Sequence, residues 1–242
     1  MISIQNFSKD YQSKKAVTDR NLTIENGKVI GLIGPNGAGK STTLKAITGI
    51  ITPTKGEIFI DSVSIKRQPR KAKRNIGYVP DTPDRFLGRK GYEYLAFISS
   101  VYHMDQKEGR ERARDRAKEL HLQDALSDRI VNYSHGRRQK IFIIGSLLSN
   151  PNNWILDEPR TGLDPQSSYE VKKIRRKRAE EGKAVLFSTH VLDVAEKVCD
   201  EVAILDKGKL CFLGTIEQLR KKENLLNSGL EDLFLHLTGG AE

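Results

Sequence analysis

The chain has 242 residues, with 41 Lys and Arg against 31 Asp and Glu for a formal net charge of +10, and is long enough to bury a sizeable core as one large domain or two small ones. Its two cysteines, Cys199 and Cys211, are too few for a disulfide framework and lack metal-ligand spacing, which points to a reducing, cytosolic setting. No apolar run approaches the roughly 18 residues of a membrane-spanning helix, and the start MISIQNFSKD alternates like a strand instead of offering a signal peptide's apolar stretch, so a soluble chain is expected.

Strand-type runs are predicted at 2–5, 22–24, 29–33, 57–60, 75–79, 153–157, 184–188, 201–206 and 210–213, several of them continuously apolar and bounded by helical patterns. Such alternation predicts an α/β fold with a mainly parallel sheet covered by helices. The region from about 88 to 149 is helix-like nearly throughout and reads as an all-α insertion between core strands. Near the C-terminus, 215–222 and 230–237 read as short helices, the second preceded by Asn227-Ser228-Gly229, with Ser228 and Glu231 at capping-box spacing. One unit is expected, with a core lobe over about 1–87 and 150–220, a helical subdomain over about 88–149 and a short helical extension over about 221–242.

The basic excess lies in runs at 66–74, 110–118 and 172–178, of the kind that face nucleic acid or an anionic membrane surface. They lack the interleaved aromatics that stack on bases. In the second run Glu111 and Asp115 recur at helical spacing, so a solvated helix face is the simpler reading there.

The most informative stretch, Gly34-Pro35-Asn36-Gly37-Ala38-Gly39-Lys40-Ser41-Thr42, follows the apolar run 29–33 and precedes a helical pattern over 43–48. In the pattern G-x-x-x-x-G-K-[ST], glycines let successive backbone N–H groups turn onto phosphate oxygens, and the following helix adds its positive end. Lys40 is then suited to the β and γ phosphates of a nucleoside triphosphate, and the Ser41 hydroxyl to Mg²⁺. Hydrolysis needs in addition a carboxylate for the metal and a group that deprotonates water. Apolar 154–156 predicts a buried strand that delivers Asp157 to its C-terminal edge beside the loop, and Glu158 follows as candidate general base. Alone, the pair could simply end a strand at a Pro159 turn. After the next apolar run, His190 suits a γ-phosphate sensor or a water-positioning group, or else a helix cap.

From about 2 to 219 the chain resembles the ATP-binding cassette (ABC) ATPases. Gly34–Thr42 is similar to their Walker A motif, 154–158 to Walker B with the catalytic Glu, Thr161-Gly162-Leu163-Asp164 to the D-loop and His190 to the switch His. Tyr11 stands where the family has an aromatic that stacks on adenine, and Tyr133-Ser134-His135-Gly136-Arg137 resembles the signature LSGGQ. Placed before a helix predicted at 137–148, Ser134 and Gly136 would point a hydroxyl and N–H groups at an anion. The resemblance implies a P-loop NTPase core with an N-terminal antiparallel β part, ATP and Mg²⁺ as cofactors, and a second cassette, identical or not, closing head to tail around two ATP molecules.

Departures from the family pattern are His135 for a signature Gly, Arg137 for its Gln, Arg160 where Thr or Ser is commoner, and Asp81 where a Gln is usual. The Asp81 carboxylate remains able to bind Mg²⁺, directly or through water. The resemblance also implies separate transmembrane permease subunits docking near 81–94, a peripheral location on the cytoplasmic face of the membrane, and export as the direction. Phe86, Tyr92 and Tyr94 suit either that partner surface or helix core. A rival is a soluble nucleic-acid- or ribosome-associated ABC ATPase, which the charge favours and the single Walker A and missing heptad run disfavour; nucleic acid is therefore not the expected partner.

Overall fold

The computed structural model describes residues 1–12, 14–82, 84–159 and 163–239. The chain begins with β1 (Ile2–Tyr11), β2 (Lys14–Ile24), β3 (Val29–Ile33), α1 (Lys40–Ile47), β4 (Lys55–Ile60), β5 (Val63–Ser64), α2 (Pro69–Lys73) and β6 (Ile76–Val79). A helical stretch follows: α3 (Gly91–Val101), α4 (Gln106–Glu119), two short 3₁₀ turns and α5 (His135–Leu147). The chain continues through β7 (Asn153–Leu156), α6 (Pro165–Glu180), β8 (Ala184–Thr189), α7 (Leu192–Val198), β9 (Glu201–Asp206), β10 (Lys209–Gly214), α8 (Ile216–Glu223) and α9 (Leu230–Thr238).

The uncharged strands form the centre of a six-stranded sheet in the order β10-β9-β3-β8-β7-β6, parallel except for β10. Because side chains alternate along a strand, each central strand feeds two cores. Trp154, Leu156, Val185 and Phe187 face the helical stretch, where Leu95, Ile141 and Ile144 meet them. Ile155, Leu186, Ile30 and Leu32 face the other way, toward α1 and the antiparallel sheet β2-β1-β4-β5, which contributes Ile2, Ile4, Phe7 and Ile58. A third, smaller cluster joins Ile33, Val202 and Ile204 to α8 and α9.

The parallel sheet and its helical layers follow the expected α/β pattern, but several details differ. The first two strands extend over 2–11 and 14–24, well beyond the predicted 2–5 and 22–24. Charged residues, half-buried Lys9 and Asp10 and exposed Lys15 and Asp19 among them, hide the periodicity, while pairing across β1 and β2 decides the conformation. The capping box expected at Ser228 and Glu231 is absent: α9 starts after Gly229 with no side-chain cap. A capping box forms instead at α8, where Thr215 and Gln218 exchange bonds. Helix α5 begins at His135, two residues before the predicted start, because Ser134 caps it.

The basic runs separate by environment. In 172–178, Arg175 and Arg178 are buried, stacked over Phe187 and Trp154 at 4.7 and 5.8 Å, and act as core. In 110–118, Arg112 pairs with Glu108 and Arg116 with Glu119. Tyr94 is buried between Phe86 and Phe142, with ring centroids 5.2 Å away on each side, so it belongs to the core and not to a partner surface; Phe86 and Tyr92 are exposed. Both cysteines are free and partly buried.

Candidate functional site

Neighbouring parallel strands β3, β8 and β7 all end on one edge of the sheet, and the chain leaves them into 34–39, His190 and Asp157–Glu158 respectively. Ligands of open parallel sheets bind outside these carboxyl ends. Residues distant in sequence are thereby brought to one place.

The glycine loop is shaped by close approach. A Cβ on Gly39 (φ +93°) would lie 2.7 Å from the Ala16 carbonyl oxygen, and one on Gly34 would lie 2.3 Å from that of Leu205. Helix α1 starts immediately after Gly39 and has no side-chain N-cap, which leaves its first N–H groups directed at the loop's concavity. The Lys40 side chain, 7% exposed, folds back so that Nζ donates to the carbonyls of Gly34 (2.7 Å) and Pro35 (3.2 Å). Burial pulls its pKa below the ordinary lysine value, against the opposing charges of Glu158 and Asp157. An ammonium that donates to two carbonyls in a desolvated loop, with the Glu158 carboxylate 4.0 Å away, is poised to exchange those carbonyls for phosphate oxygens.

Asp157 is fully buried at the end of β7. Its Oδ1 accepts from Ser41 Oγ (3.2 Å) and Ser188 Oγ (2.6 Å), whereas Oδ2 is buried without a hydrogen-bond partner among the described residues. Burial raises the carboxyl's pKa; the Ser188 bond opposes this and the charge of Asp81 adds to it. A desolvated, half-satisfied carboxylate beside a serine hydroxyl is a donor set that suits a hard divalent cation. Among the described residues no three His, Cys, Asp or Glu side chains cluster tightly enough to hold a metal by themselves. A cation such as Mg²⁺ would thus bind here together with oxygens from a ligand and water, as Mg²⁺ does on phosphates.

Glu158 follows with φ +47°, a left-handed conformation that costs a non-glycine residue strain energy and turns its side chain away from the strand direction. Its N–H donates to Ser188 Oγ (3.0 Å), its Oε2 lies 3.1 Å from His190 Nδ1, and its Oε1 lies 4.0 Å from Lys40 Nζ. Ser188 therefore bridges the two acids. Sequence reasoning did not single it out, since one serine closing an apolar strand carries no motif.

A cavity of about 400 Å³ opens in front of the loop, and Tyr11, Asn36, Gly37, Gly39, Lys40, Ser41, Thr42, Asp81 and Glu158 line it. Gly34 and Ala38 are buried behind that wall. Tyr11 is exposed at the rim, with Lys9 Nζ 5.1 Å from its ring centroid. Asp81 faces the cavity with Oδ1 accepting from the N–H of Thr82.

Ser134, Gly136 and Asp164 are not brought to this cavity. Ser134 caps α5, its Oγ accepting from Arg137 N–H at a long 3.3 Å, and is exposed together with His135 and Arg137. Buried Tyr133 anchors the turn by donating to the Ala125 carbonyl. Arg138 donates to Asp84 (3.1 Å) and the Val131 carbonyl (2.8 Å), tying α5 to the segment after Asp81. Asp164 caps α6 through Ser167 and pairs with Lys140 Nζ at 2.9 Å, which holds its carboxyl well below the usual range. Arg160, Thr161 and Gly162 lie outside the described residues.

Comparison with known proteins agrees with this geometry. Residues 17–161 match the family model described as ABC transporter. The chain is 33% identical over 231 residues to the ABC transporter ATP-binding protein NatA of Bacillus subtilis (strain 168), covering 92% of this chain and 93% of that one. Among solved structures it is similar to an ATP-binding subunit of an ABC transporter, with a TM-score of 0.93, 30% identity and coverage of 98% and 99% of the two chains. It is also similar, at a TM-score of 0.83 and 26% identity, to a dimeric ATP-binding cassette in a post-hydrolysis state bound to ADP and Pi, covering 89% of this chain and 99% of that one.

Proposed function

This chain belongs to the ABC transporter family as an ATP-binding subunit with ATPase activity, and on that premise we propose that it works as a head-to-tail dimer whose ATP cycle drives export through separate membrane-spanning permease subunits. The observation that carries the reading is the convergence of Lys40, Ser41, Asp157, Glu158 and His190 on one sheet edge around a glycine loop.

The roles follow from the chemistry of each group. Lys40 releases its carbonyls and takes the β and γ phosphates, while the loop N–H groups and the open end of α1 bind phosphate oxygens. Tyr11 offers its ring to the adenine. Asp157 and Ser41, with Asp81 across the cavity, would hold Mg²⁺, which when bound neutralises charge on the phosphates. Glu158 accepts the proton of the attacking water, and His190, on its Oε2, orients that carboxylate. Exposed Ser134 and half-buried Gly136, on the tip of α5, serve the nucleotide held by the partner copy. Asp164, engaged by Ser167 and Lys140, acts as a positioning group at that interface. Export is supported by the likeness of the single cassette and its Tyr-Ser-His-Gly signature to exporters with separate permeases. Exposed Phe86 and Tyr92 after β6 offer the permease an aromatic surface.

The test is Glu158→Gln. The variant retains every phosphate and metal group but loses the base, so turnover falls by about 10²-fold or more while ATP binding persists. With ATP and Mg²⁺ it accumulates as a closed dimer in light scattering, and affinity purification from membranes brings down a polytopic partner. A strictly monomeric, ATP-loaded variant contradicts the dimer.

A further inference from the structure

We propose that the basic segment 66–74 is a contact surface for the anionic headgroups of a membrane leaflet, holding the cassette to the bilayer in addition to any permease. Six of its nine residues, Lys66, Arg67, Arg70, Lys71, Lys73 and Arg74, are cationic and none is acidic. All six are exposed. Arg67 is held by Glu57 at 3.1 Å, and Lys73 Nζ donates to the Gly49 carbonyl. Among the described residues no carboxylate pairs with Lys66, Arg70, Lys71 or Arg74, so four charges concentrate in one place without internal neutralisation.

The segment is held firmly. Ile65 and Ala72 are buried in the core beneath it, Gln68 N–H donates to the Ser64 carbonyl and Asn75 N–H to that of Ala72. This arrangement fixes the backbone so that Lys66, Arg70, Lys71 and Arg74 stay on the exposed side of the segment. Beside them Ile50, 50% exposed, shares a cavity of about 200 Å³ with Lys73, Ile76 and Tyr78. Cations next to an exposed apolar side chain match the interface of an anionic bilayer.

The other two basic runs do not compete for this role, because in 110–118 Arg112 and Arg116 pair with the flanking Glu108 and Glu119 while Glu111 and Asp115 interrupt the cations, and 172–178 buries Arg175 and Arg178. The segment has no aromatic residue, so it lacks the stacking platform of a single-strand binder. The choice of a lipid surface over other polyphosphates rests on the transporter reading above, but vesicle binding by the purified chain is measured without a permease, so the two fail separately.

Flotation of the purified full chain with vesicles containing about one-third phosphatidylglycerol in phosphatidylcholine tests the proposal. The chain floats with these vesicles and not with pure phosphatidylcholine, and about 0.5 M salt releases it as the screening length shrinks. At about fivefold per charge, K66Q/R70Q/K71Q/R74Q lowers partitioning about 600-fold, with ATP turnover unchanged. Should that variant not fold, Lys71→Gln with Arg74→Gln lowers it roughly 20-fold. The control R110Q/R114Q keeps nearly full binding. Equal flotation with neutral vesicles, equal loss in the control, or displacement from the vesicles by DNA at matched phosphate concentration overturns the proposal.

Discussion

Replacing Ser188 by Ala deletes one oxygen that serves two neighbouring acids. Its Oγ donates to Asp157 Oδ1 at 2.6 Å and accepts the Glu158 N–H at 3.0 Å, in a setting where Ser188 and Asp157 are fully buried. A hydrogen bond to a charged group contributes about 1.5–3 kcal/mol and a neutral one about 1 kcal/mol, so roughly 3 kcal/mol of stability is at stake. For a chain of this size that corresponds to a melting point lower by about 6–12 °C. The catalytic consequence is separate. Without the bridge, the left-handed turn at Glu158 loses its anchor and the carboxylate leaves its place between Lys40 and His190. Turnover then falls by more than tenfold while ATP affinity, set by the loop, changes little. Differential scanning fluorimetry and steady-state ATPase assays on Ser188→Ala and Ser188→Thr read both effects, with Thr restoring part of each. A melting point within about 1 °C of wild type together with full turnover refutes the bridging role.

Lys40→Ala removes the charge-assisted phosphate contact and weakens ATP binding by about 2 kcal/mol, or roughly 30-fold, in a fluorescent-nucleotide titration; unchanged affinity overturns the assignment of the loop. In the nucleotide-free, EDTA-treated chain, burial raises the Asp157 pKa above its ordinary 3.8, so the folded state keeps a proton that the unfolded state has lost. Stability therefore falls as pH rises from the ordinary carboxyl range through the raised folded-state pKa, and melting curves collected from about pH 3.5 to about pH 7.5 show the wild type losing ground against Asp157→Asn as pH increases. Parallel curves argue against a desolvated carboxylate. Mixing a Ser134→Arg copy with a Lys40→Ala copy places both lesions in one composite site of a mixed dimer and leaves the other intact. Each variant alone is inactive, and the mixture recovers roughly a quarter of wild-type turnover if half the dimers are mixed; no recovery contradicts the shared site.

The phosphate-binding loop, the Asp157–Glu158 pair and the parallel sheet were legible in the sequence because each rests on local chemistry: glycines at fixed offsets before a lysine, acids closing an apolar run, apolar segments of strand length between helical ones. The tertiary structure decided what depends on distant neighbours. β1 and β2 became long strands because they pair with each other, against their charged composition. Arg175 and Arg178 became core because aromatic rings lie over them, although they sit in a run that reads as surface. Ser188 entered the site only when β8 was laid between β3 and β7, and Lys140 reached Asp164 only when α5 was packed near the start of α6. Spacing along a chain records which groups follow one another on a single element; which groups from separate elements meet is set by strand order and burial, and that is where this site acquired the rest of its contacts.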